Sequence, residues 1–114
     1  MVKRIATHRV YDVEASVLLC QQAVELDDEG VVCRVFPLQE EMQGTEWLPG
    51  MVVLSPFPPV RERDERFGCF VRRITLQAME AEKNALSVKR AYWIDPFNVS
   101  GMEFLPSSRI KALR

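Results

Sequence analysis

The chain has one histidine, His8, so it is poor in the side chain that most readily moves protons near neutral pH. Cysteine is scarce too: Cys20, Cys33 and Cys69 are an odd set without Cys-x-x-Cys spacing. This excludes a disulfide scaffold and leaves no run of zinc ligands. No apolar run approaches the ~20 residues that span a bilayer. Lys3-Arg4 is followed by no apolar stretch of the kind that marks a secretory leader. Neither phosphate-cradling glycine motif occurs, and there is no Gly-x-Ser-x-Gly elbow for a nucleophilic serine. Charge of one sign is also missing, since 15 basic residues face 16 acidic ones. Asp27-Asp28-Glu29 lacks the spacing of a calcium loop and reads as a turn.

What remains is an ordinary globular composition, 47% hydrophobic and 27% charged over 114 residues. That length implies one domain, 1–114, with roughly two-thirds of the extended surface buried on folding. The three cysteines lie in apolar surroundings and read as small core residues of a reducing, cytoplasmic protein. Asn98-Val99-Ser100 matches a glycosylation sequon and is read as a turn. No cofactor, metal or catalytic residue is expected.

The charge is balanced only in sum. Residues 1–60 carry four basic and nine acidic residues, residues 61–114 eleven and seven. The expected reason is that the two halves present complementary faces. The basic second half also gives a nucleic-acid alternative, in which Arg66, Arg72, Arg73, Lys89 and Arg90 would share one face. The interleaved acids of Arg61-Glu-Arg-Asp-Glu-Arg66 speak against it, so nucleic acid is not the expected partner.

The apolar pattern is mostly of strand type. Lys3–Tyr11 alternates, Val17–Leu19 is a short apolar run, and Ala23–Leu26 and Val31–Phe36 flank an Asp/Gly turn that signals a hairpin. Gln39–Met42 has room for one helical turn. Glu46–Leu48 is a short strand, Pro49-Gly50 a type II turn and Met51–Leu54 a buried strand. Pro56–Pro59 is the one internal boundary. The stretch 67–86 fits both a helical stripe (Phe67, Phe70, Val71, Ile74, Ala78) and a strand, and the β-branched Ile74-Thr75 tips the reading to strand. Ser87–Ile94 is a strand ended by Asp95-Pro96, Asn98–Gly101 a turn, and Met102–Leu105 and Ser108–Leu113 return segments. The fold expected is mainly β: a small β-sandwich or open β-barrel of about six to eight short strands, with one or two short helices at most.

The first half, residues 1–57, has a further pattern. Arg9-Val-Tyr-Asp12 and a short strand are followed by Ala23-Val-Glu-Leu-Asp-Asp-Glu-Gly-Val-Val32, then by Gly44-Thr-Glu-Trp-Leu-Pro-Gly-Met-Val-Val-Leu-Ser-Pro56. This order resembles the N-terminal segment of metal-dependent amidohydrolases of the imidazolonepropionase-like and dihydroorotase-like kind. In that family the segment helps to build a small β-sandwich, the composite domain, beside a catalytic barrel. The family's His-x-His metal pair would follow position 54, where this chain reads Ser55-Pro-Phe-Pro-Pro-Val-Arg61. Too few residues follow to form a barrel of about 250 residues. The resemblance therefore implies a composite-like module without its enzyme, with residues 61–114 supplying the completing strands.

The function expected is a non-catalytic β module acting in binding or assembly, with a protein partner or a second copy and no membrane. Tyr92, Trp93 and Phe97, in an aromatic turn-rich stretch, together with Arg72 and Arg73, form the expected partner surface. A rival reading is a small metal- or ligand-binding enzyme using His8 with cysteine or carboxylate partners.

Overall fold

Strand-forming residues alternate from the start of the chain, and the computed structural model pairs them into one sheet; it describes residues 2–39, 43–81 and 88–113. In chain order the elements are β1 (Lys3–Asp12), β2 (Val17–Leu26), β3 (Val32–Pro37), β4 (Thr45–Trp47), β5 (Met51–Ser55), α1 (Phe67–Ala81), β6 (Arg90–Asn98) and β7 (Glu103–Ala112). The seven-stranded sheet runs β3-β2-β1-β5-β6-β7, with β4 also on β1. The expected mainly β fold of six to eight short strands is thus found.

β1 is the central strand. It pairs antiparallel with β2, and its other edge takes β4 at Arg4–Ala6 and β5 at Arg9–Asp12, both parallel. With cover on both faces, Ile5, Ala6 and Thr7 are buried in succession, as are all five residues of β5. The β2–β3 hairpin turns where the Asp/Gly signal places it. The Asp27 carboxylate accepts from the amides of Glu29 and Val31, each at 2.9 Å, and Gly30 adopts φ +83°.

Two cores lie on opposite faces of the sheet. One joins Tyr11, Met51, Val53, Ile94, Phe97 and Phe104 to Phe67, Phe70, Ile74 and Ala78 of α1. The other gathers Ile5, Val10, Val24, Leu26, Val52 and Leu54. The sheet curls around this second core until the start of β3 meets the start of β6. Val31 bridges Arg90, and the Val32 amide donates to the Lys89 carbonyl at 2.8 Å.

Several expectations are corrected. Residues 67–81 are helix, because Phe67, Phe70, Ile74 and Ala78 recur at helical spacing and bury one face against the sheet. β6 does not stop at Asp95-Pro96: it passes through a cis peptide bond there with a register shift and continues to Asn98. All three cysteines are exposed, because Cys20 and Cys33 lie on outer stretches of the sheet and Cys69 on the outer side of α1. Most described ion pairs lie within one half of the chain, and Lys89–Asp12, at 2.9 Å, is the pair that crosses between halves. The helical turn expected at 39–42 falls largely outside the described residues.

Candidate interaction surface

The five residues expected to form a partner surface are dispersed by the fold. Phe97 is buried edge-on against Phe67, with ring centroids 4.9 Å apart, because the register shift before it turns its ring into the helix-side core. Tyr92 is 7% exposed, and burial pushes its phenol above the usual range, with nearby Arg90 opposing. Trp93 is half-buried on the other face, where its indole donates to the Pro49 carbonyl at 2.9 Å and Lys111 lies 5.3 Å from its ring. Arg72 is exposed on α1 and makes none of the described ion pairs. Arg73 is fixed by Glu62 at 2.9 Å and Glu65 at 2.8 Å, and the guanidinium holds the Glu65 carboxyl below its ordinary range. These side chains do not compose one patch.

The rival constellations are scattered as well. Arg66 approaches Glu103 at 3.9 Å and Lys89 pairs with Asp12, so two of the five cations of the nucleic-acid reading join Arg73 in neutralised pairs. His8 fills a gap in the sheet. The β1–β2 register skips His8 and Gln21, and on the other side Leu48–Gly50 separates β4 from β5. The Gly50 amide donates to His8 Nδ1 at 3.1 Å, so the imidazole takes the place of a missing backbone acceptor. Its ring meets Trp47 edge-on at 4.7 Å. Among the described residues no three His, Cys, Asp or Glu side chains are grouped to hold a metal ion.

A different surface emerges at the first half of β2. β3 covers only Gln22–Leu26 of that strand. Gln21 marks the limit with a left-handed φ of +49°, and its carbonyl accepts from Leu38 as the chain leaves β3. Below it, Val17–Cys20 has β1 along one edge and no described strand along the other. Val17 is 41% and Leu18 45% exposed, while Leu19 packs at the margin of the second core. No charge interrupts Val17-Leu-Leu-Cys20. The opposite edge of the sheet, β7, carries Pro106, Arg109 and Lys111, residues that discourage strand addition. The sequence shows the apolar run at 17–19, but its place at an open edge follows from where β3 stops.

No helix among the described residues is long and apolar enough to cross a membrane. No family model, curated protein or solved structure matches the chain.

Proposed function

We propose that the protein is a non-catalytic β module of the composite-domain type that its first half resembles, and that it acts in assembly by pairing with a second copy through the open edge of β2. The open apolar edge at Val17–Cys20 carries this reading. A strand without a neighbour presents a row of free backbone donors and acceptors, a template for another strand. The segment suits itself as occupant. Antiparallel about a two-fold axis it sets apolar side chains against apolar ones, and no like charges meet. Residues 5–57, which carry the resemblance, form β1 to β5. The cytoplasm suits three exposed free thiols, which a reducing compartment keeps as thiols.

The test is sedimentation of the purified protein across a concentration series. The wild type is expected to dimerise, and Leu18→Lys to sediment as a monomer with unchanged circular dichroism. A wild type that stays monomeric at millimolar concentration overturns the proposal. So does a Leu18→Lys variant that still dimerises.

A further inference from the structure

Between the pairs Thr7–Gln22 and Arg9–Cys20 the β1–β2 ladder skips a step, and on the other edge of β1 the link Leu48–Gly50 separates β4 from β5. The His8 imidazole fills the gap on that second side by accepting from the Gly50 amide at 3.1 Å. The link is held in a fixed frame. The Leu48 amide donates to the Ala6 carbonyl at 2.8 Å, and the Pro49 carbonyl accepts from the Trp93 indole. The Gly50 carbonyl accepts from the Thr7 hydroxyl at 3.3 Å and the Arg9 amide at 3.2 Å. The Gly50 amide is thereby aimed at Nδ1.

That bond sets a condition on the charge of the ring. Nδ1 accepts only while the imidazole is neutral, with its one proton on Nε2. A second proton goes to Nδ1, sets a donor against a donor and leaves the backbone amide without a partner. The side chain is half-buried, so water reaches it. The charged groups around it do not favour an imidazolium. Arg9, on the same strand, donates from its guanidinium to the His8 carbonyl at 2.9 Å and brings positive charge to this corner. On β4, Glu46 stands beside Ile5 in register and pairs with Lys3 at 3.6 Å. β2 brings Cys20, opposite Arg9, and Glu25, which is held by Arg4 and Arg34, each at 3.0 Å. Leu48–Gly50 and Met51–Leu54 carry no charge. None of these groups is a carboxylate left over to hold a charged ring in its seat.

We infer that His8 is a pH-operated plug in the sheet. Neutral, the ring is seated and satisfies Gly50. Charged, it swings out to water and leaves the Gly50 amide as a free donor beside Trp47, which meets the seated ring edge-on at 4.7 Å and is itself 46% exposed. Neither β4 nor β5 has to move, since Leu48 and the Gly50 carbonyl keep their bonds. The window is about pH 8 to 5, where histidine ordinarily changes charge.

The test is magnetic resonance of the isotope-labelled full chain at the two ends of that window. At the upper end, a scalar coupling is expected between the Gly50 amide nitrogen and His8 Nδ1, carried across their hydrogen bond. At the lower end, the ring is expected to give imidazolium nitrogen shifts and no such coupling. The protection of the Gly50 amide from exchange, corrected for the intrinsic effect of pH, is expected to fall about fivefold, as loss of one hydrogen bond does. His8→Asn places near Nδ1 an acceptor that acid does not titrate, and is expected to keep the Gly50 amide equally protected at both ends. A coupling that persists in acid overturns the inference, as does a ring that stays neutral there. An equal fall in protection in His8→Asn overturns it too, because the response then comes from other groups.

Discussion

Gly50 shows how one residue can serve three neighbours. Its φ is +111°, a region that side chains with a Cβ rarely adopt. Its amide donates to His8 Nδ1 and its carbonyl accepts from Thr7 Oγ1 and the Arg9 amide. A Cβ there would stand 3.1 Å from the Ile94 carbonyl and 3.3 Å from Phe97 Cβ. Gly50→Ala is therefore expected to destabilise the fold by about 1–3 kcal/mol, read as a lower urea midpoint. The Pro49-Gly50 turn is legible in the sequence because the chemistry of both residues is local. The exposure of the cysteines is not: apolar neighbours in sequence say nothing about whether a strand end lies at the rim of a sheet. Glu65 supplies a prediction in pH. Its hydrogen bond to Arg73 keeps its folded pKa below the ordinary 4.5, so the pair stabilises the fold above that value. That stability is lost as pH falls from 4.5 through the lower folded value. Glu65→Gln is expected to flatten the acid limb of a plot of urea midpoint against pH. An unchanged limb would assign the acid sensitivity to other carboxylates.

At the scale of elements, α1 is where local pattern and tertiary context part. Ile74-Thr75 favours a strand by propensity, which is a weak preference that packing overrides. In the helix Ile74 is fully buried, and the Thr75 hydroxyl donates to the Val71 carbonyl at 2.6 Å while accepting from Tyr11 of β1, also at 2.6 Å. The start of the helix is held from β7, where the Glu103 carboxylate accepts from the Phe67 amide at 2.5 Å. A carboxylate at this end satisfies a free donor and complements the helix dipole. No nearby residue announces this cap, since it comes from 36 positions away. Glu103→Ala is expected to cost about 0.5–2 kcal/mol in chemical denaturation. Phe70→Ala, which removes a fully buried ring packed on Phe67 and Phe104, is expected to cost about 3–5 kcal/mol. The reverse ordering of the two would mean that the cap, not the packed face, anchors the helix.

For the whole molecule, β5 is the strand that makes two cores into one unit. Met51 and Val53 point to the helix side, Val52 and Leu54 to the curled side. Loss of either core strips cover from the other. The far-ultraviolet signal of the helix and the fluorescence of Trp47 and Trp93 are therefore expected to change at one urea midpoint. Separate midpoints would show that the curled half unfolds by itself. The alternation and turn chemistry of the first half are local, so its strands are legible along the chain. The seam of the curled sheet is not, because Val31 and Arg90 become neighbours only through the curl.

The parallel pairing of β1 with β5 also sets an order in time. Arg9 meets Met51, and everything between them must be present before that ladder can close. A chain emerging from the ribosome as far as Leu38 can form the β1–β2–β3 ribbon and nothing more. In that interval Ile5, Val10, Val24 and Leu26 face water on a narrow three-stranded surface. Synthesis of β5 ends the exposure on one edge of β1, and β6 then completes the enclosure. The strands made before β5 are thus the ones that wait longest for shelter, and that wait is the period in which they are most open to chaperones and to self-association.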